Sequence, residues 1–154
     1  MKLIIQRSIS FNKTGWLTVL LFMTLNLSAK AQELDTHRWK NRVLLIFAEN
    51  DNNPTLSDQL KALNSDIEGL KERKLIVYQI FPTHYKTGYT HSKETIKPDK
   101  SLFKKYNTSS DPFKVILIGL DGGVKYEKYG LLNNSALFEI IDGMPMRKSE
   151  INKN

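Results

Sequence analysis

The chain contains no cysteine. Thiol catalysis, disulfides, cysteine zinc sites and lipid attachment through an N-terminal cysteine are therefore excluded. It also lacks the Gly-x-Ser-x-Gly elbow, the phosphate-binding glycine loop and the dinucleotide fingerprint, so familiar hydrolase and nucleotide chemistry has no foothold. No apolar run reaches the roughly 20 residues that span a bilayer. Basic residues are scattered rather than set in a run, which gives nucleic-acid binding little support.

Trp16 to Leu27 (WLTVLLFMTLNL) is an apolar stretch broken by Thr18, Thr24 and Asn26; Lys2, Arg7 and Lys13 precede it and Ala29-Lys30-Ala31 follows. A basic start, a short apolar middle and small residues at the two positions a signal peptidase reads predict a signal peptide over 1–31, with a mature chain from Gln32. An uncleaved anchor is the alternative, for which the run is short. Residues 1–31 hold four of the 23 basic residues and none of the 16 acidic ones, so the net charge of +7 falls to +3 in the remainder. That remainder suits one domain, 32–151, with a tail at 152–154; at this size a core buries roughly two thirds of the unfolded surface without disulfide or metal staples.

Val43 to Ala48 (VLLIFA) is a continuous apolar run of strand length, the pattern of a strand covered on both faces. Pro54 suits a first helical position and Thr55 with Asp58 has capping-box spacing; Leu56, Leu60, Leu63, Ile67 and Leu70 then make one helical stripe. Leu75 to Phe81 reads as a second strand, Pro82 to Lys100 as a long loop, Ser101 to Tyr106 as a short helix and Phe113 to Gly119 as a third strand. Asp121-Gly122-Gly123 turns the chain back into Val124 to Tyr129, and Asn133 or Asn134 caps a last helix that stops near Gly143. Trp39, ahead of the first strand, is expected to pack its indole on the domain edge. Strand, helix, strand, linker, strand, hairpin strand, helix is the thioredoxin-like order: α/β, a central mixed sheet of four to five strands with helices on both faces.

Four segments carry a more specific resemblance: Trp39 with Arg42 ahead of "VLLIFA", "ERKLIVY" at 72–78, "LIGLDGGVK" at 117–125 and "IDGMPMR" at 141–147. Together they resemble domain-of-unknown-function family 4174, small bacterial exported proteins regarded as thioredoxin-like in fold and without an assigned activity. The similarity spans roughly Leu34 to Ile151. The family pattern often has a lysine before Asp-Gly-Gly, where this chain has Leu120.

In this topology the end of strand one and the start of strand three share a sheet edge, which brings Glu49 to Pro54 near Asp111 and Pro112. Redox members keep a dithiol in the first loop and a cis-proline in the second; Pro112 stands at the second place, in a cis bond or an ordinary trans turn. Glu49, Asp51 and Asp111 could form a carboxylate cluster for a hard cation or a shared proton, whereas the simpler reading has Asp51 capping and solvating the helix. His84 and His91, with His37 elsewhere, lack a zinc-helix pattern and read as surface residues. Met144 is pushed toward extended backbone by Pro145, Met146 offers an adaptable apolar surface, and Arg147 can fork onto a carboxylate, either a structural one such as Asp121 or Asp142 or one on a ligand. Lys125 is a second candidate cation.

These residues predict a non-redox module, exported to the periplasm or medium, that binds an envelope protein or a small ligand through the Glu49 to Pro54 edge and the Met144 to Arg147 segment, with no cofactor, metal or nucleic acid. The rival is an enzyme using Glu49, Asp51 and Asp111 with Arg147 or Lys125 as electrostatic stabiliser, which requires all of them in one pocket. N-terminal sequencing of the exported protein should begin at Gln32; a retained Met1 would make the first 31 residues an anchor instead.

Overall fold

The computed structural model describes residues 32–90, 97–98, 100–107 and 111–152. The expected signal segment 1–31, His91 and the last two residues lie outside them. A four-residue helix, α1 (Gln32–Asp35), leads into β1 (Arg42–Ala48); α2 (Pro54–Asn64) and α3 (Ile67–Glu72) carry the chain to β2 (Leu75–Ile80), and β3 (Tyr85–Thr87) turns back beside it. After α4 (Ser101–Tyr106) come β4 (Phe113–Ile118) and β5 (Val124–Tyr129), then α5 (Asn134–Asp142) and α6 (Pro145–Ile151). Among the described residues no helix is long and apolar enough to cross a membrane.

The sheet order is β3-β2-β1-β4-β5. β1 and β2 are parallel and every other neighbouring pair is antiparallel. All seven residues of β1 are buried, as a continuous apolar run demands. Its side chains alternate between two cores. Leu44, Ile46 and Ala48 pack against Leu56, Leu60 and Leu63 of α2, Leu70 of α3 and Leu137 and Ile141 of α5. Val43, Leu45 and Phe47 face the thinner layer formed by Leu34 of α1 and Leu102 and Phe103 of α4. The expected architecture, a mixed sheet with helices on both faces, is the one observed.

Four local features differ from expectation. The stripe from Leu56 to Leu70 is two helices rather than one: Ser65 Oγ donates to Ala62 O at 2.7 Å and Asp66 Oδ1 accepts Gly69 N–H at 2.8 Å, so side chains stop α2 and cap α3. Pro54 opens α2 as expected, but the N-cap is Asn53, whose Oδ1 accepts Leu56 N–H at 3.1 Å, rather than Thr55 of the capping-box spacing. The 82–100 stretch contains the strand β3, and the C-terminal segment is the helix α6, with Met144 extended ahead of Pro145. Trp39 does not pack on the domain edge: it is 60% exposed and left-handed, with φ 64°, and its N–H donates to Leu120 O at 2.6 Å.

One buried polar clamp joins α2 to the approach of α5. Gln59 is fully buried; its Nε2 donates to Leu132 O and its Oε1 accepts Leu132 N–H, both at 2.8 Å. Gln59→Leu keeps the volume but strands both backbone groups without water. The expected loss is about 2 kcal/mol or more, read as a melting temperature lower by several degrees.

Candidate functional site

The loop after β1 is ordered by its own side chains. Asn50 Oδ1 accepts Asn52 N–H at 3.0 Å and Asn53 caps α2. Pro54 has no N–H to offer, so the start of α2 is largely self-satisfied. The register Ala48 to Phe113 sets Asp111 and Pro112 across from this loop, and Asn53 Nδ2 donates to Pro112 O at 3.4 Å. The Asp111–Pro112 bond is trans. Glu49, Asp51, Asp111 and Pro112 thus share the sheet edge at the carboxyl end of β1, and of these only Asp51 is less than exposed.

Asp51 does not cap α2, a place taken by Asn53. Its carboxylate pairs with Lys86 Nζ, and His84 Nε2 lies 3.6 Å away. Lys86 sits on β3 with its side chain 9% exposed, against 43% for Asp51. Its ammonium stands 5.6 Å from the Phe81 ring centre, and His84 stacks on the same ring at 4.6 Å. The lysine is therefore held inward and the carboxylate outward. Neither Lys86 nor His84 was a sequence candidate for this edge. The signal that could have found Lys86 is the Tyr-Lys-Thr alternation between Pro82 and Gly88, a short strand bounded by breakers.

Arg147 is at the other end of the sheet. Its guanidinium donates to Asp142 Oδ1 at 3.1 Å, to Glu72 Oε1 and to Glu72 O at 3.3 Å, with Glu150 at 3.7 Å. Arg73 takes the second oxygen of Asp142 at 2.6 Å and stacks over Phe138 at 4.1 Å. Arg42, only 1% exposed, shares Glu150 through two bonds of 3.2 Å. Burial works to raise the Asp142 and Glu150 carboxyls, but Arg73 and Arg147 around the first, and Arg42 and Lys74 around the second, outweigh it and hold both below the ordinary range. Arg147 is spoken for by structural carboxylates, of which Asp142 is one.

The one-pocket arrangement is not formed. Arg42 opens β1 and Glu49 follows its far end, so six rises of about 3.3 Å put the arginine network roughly 20 Å from the Asp51 edge. Asp121 and Lys125 form their own pair at 2.6 Å at the β4–β5 turn, whose strand end aligns with Val43 rather than Ala48. The hydrogen bond from Lys125, with that from Gly123 N–H, holds the Asp121 carboxyl low. Met144 is partly buried against the core, and Met146 is 42% exposed on α6. The carboxylates therefore have neither Arg147 nor Lys125 as an electrostatic stabiliser.

His37 lies between the Tyr78 hydroxyl, at 2.8 Å, and the Asn41 amide, at 3.2 Å. Burial lowers its pKa against the pull of Glu33, and burial pushes Tyr78 up to about 12 with Glu33 adding to the effect. Glu33 accepts from the Tyr85 hydroxyl and from Lys97 at 2.6 Å. This cluster pins α1 to the sheet. Among the described residues no three His, Asp or Glu side chains are grouped to hold a metal ion.

A central parallel pair, an antiparallel hairpin on one flank, helices on both faces and a polar loop where a dithiol would sit define a thioredoxin-like protein without a thiol. Two solved structures share the fold: a reduced 2-Cys peroxiredoxin of Plasmodium vivax, with TM-score 0.53 and 21% identity over 79% of this chain and 85% of that one, and thioredoxin peroxidase I of Plasmodium yoelii, with TM-score 0.50 and 19% identity over 75% and 79%. At these identities the likeness is one of fold. Residues 33–150 match the family described as "Domain of unknown function (DUF4174)", and the chain belongs to that family.

The arginine network carries a pH dependence. Groups whose folded pKa is depressed stabilise the fold above their unfolded pKa, and that contribution is lost as pH falls through the folded value. Thermal melts should therefore weaken progressively from about pH 5 downward, with Asp142→Asn and Glu150→Gln each flattening the slope. At neutral pH, Arg147→Met should cost about 1–3 kcal/mol, below the range for a fully buried pair because its acids are partly exposed.

Proposed function

We propose that this protein is an exported, non-redox thioredoxin-like module that binds a partner through the carboxyl end of β1, where Glu49, Asp51 and Asp111 form an acidic edge fixed by Lys86. The observation that carries this reading is the Asp51–Lys86 pair. Open α/β sheets take ligands at the carboxyl ends of their strands, and here β3 supplies a mostly buried ammonium whose effect is to hold one carboxylate in place at the surface. A fixed carboxylate offers a preorganised acceptor and loses little entropy on binding. The exposed Glu49 and the outward Asp51 favour a cationic partner, either a basic protein surface or a small amine-bearing ligand. The Met144 to Arg147 segment leaves this surface, because its arginine is committed to the opposite end.

Export rests on the N-terminal segment read above. The carboxylate enzyme has no comparable support, since its positive stabiliser is absent from the edge.

A photocrosslinker at Glu49 should capture a discrete envelope partner, and Asp51→Ala or Lys86→Met should weaken that capture severalfold while the fold persists. Equal labelling from Glu49 and from a control position such as Glu139 on α5 would mean that the edge has no partner.

A further inference from the structure

β3 covers only part of the outer edge of β2. The pairing runs from Ile80 with Tyr85 to Tyr78 with Thr87, and the last bond is Gly88 N–H to Val77 O at 2.9 Å. Gly88 then leaves the ladder with φ +106°, a conformation that favours glycine; a side chain there would touch nothing within 4 Å. Beyond this point Leu75 to Val77 have β1 as their one strand neighbour among the described residues. A cleft of about 600 Å³ occupies the vacated place, with Leu75, Ile76 and Val77 along its floor.

Lys71, Lys74, Thr87, Tyr89 and Thr90 also line the cleft, so the two lysines are its charged residues. The lysine side chains are 60% and 55% exposed; each has one carboxylate neighbour, Glu68 at 2.8 Å and Glu150 at 3.4 Å, which leaves most of its ammonium in solvent. Lys74 is also strained. It closes α3 in the left-handed conformation, φ 50°, a place that glycine or asparagine fills at lower cost. A strand edge that no described strand covers, bordered by lysines, is a template for an added strand, with backbone pairing for affinity and side-chain charge for selection.

We propose that this edge receives an extended acidic peptide segment of a partner protein, which pairs with Leu75 to Val77 in continuation of β3 and sets its carboxylates against Lys71 and Lys74. Three strand residues span roughly 10 Å, so the bound core is about three residues long. The open side and strand floor favour an extended chain over a compact small acid, which seeks an enclosed pocket. This surface is separate from the Asp51 edge and opposite in charge.

The test is amide NMR of the purified protein titrated with the capped peptide Val-Glu-Val-Glu-Val, its lysine counterpart Val-Lys-Val-Lys-Val, and glutarate. The glutamate peptide should shift the amides of Leu75 to Val77 and Gly88, with affinity reduced about tenfold by Lys71→Glu and further by added salt. Lys74→Gly should keep the melting temperature within a few degrees, since it relieves the left-handed strain, yet weaken binding severalfold. Shifts elsewhere, an equal response to the lysine peptide, or the same shifts from glutarate alone would each overturn strand addition.

Discussion

Burial of β1 on both faces and along both edges is the constraint from which the remaining structure follows. A strand that reads VLLIFA has no polar face to give to water, so β2 and β4 must take its backbone groups and helices must cover both sides. The same burial reaches Arg42 at the head of the strand, 1% exposed. A guanidinium there needs an acid, because an unpaired buried charge costs several kcal/mol. That acid is Glu150, which lies on α6, so the last helix completes the first strand.

The charges at that end form one network. Arg42, Arg73, Lys74 and Arg147 share Glu72, Asp142 and Glu150, and each of the three acids pairs with more than one cation. Three of the four sequence segments that carry the family resemblance meet here: Arg42 with its strand, "ERKLIVY" through Glu72, Arg73 and Lys74, and "IDGMPMR" through Asp142 and Arg147. What looks like a signature of activity in the sequence is, in space, the fastening of α5 and α6 to the sheet. The fourth segment makes the Asp121–Lys125 turn, where Gly122 adopts φ +80° and Trp39 is bonded to Leu120.

The fold was legible because its central features are long or strongly coded: the six-residue apolar run VLLIFA, an Asp-Gly-Gly turn, leucines at helical spacing. β3 was hidden because three residues give no measurable period, and Tyr-Lys-Thr between a proline and a glycine also looks like a loop. Arg147 shows the limit for sites. Its near partner Asp142 lies five residues away and was nameable, whereas Glu72 lies 75 residues away and depends on how α3 and α6 meet. Trp39 was misjudged for a different reason, since burial by residue type does not foresee a left-handed backbone that turns the indole outward.

The two ends of the sheet therefore do different physical work. At the amino end of β1, the buried arginines are matched by acids within the chain, and the result is stability; of the cations there, Lys74 is the one that stays more than half exposed. At the carboxyl end, Lys86 fixes one acid while Glu49 and Asp111 stay at the surface. A dithiol in that loop would act by forming and breaking bonds. Without sulfur, and with the helix start already capped by Asn53, fixed charge and shape are what the loop would bring to the binding role proposed above. Selection by fixed charge is strongest when the charge is held before the partner arrives. The inward lysine and outward carboxylate supply that condition, because the buried member of the pair cannot follow solvent and the exposed member cannot leave it.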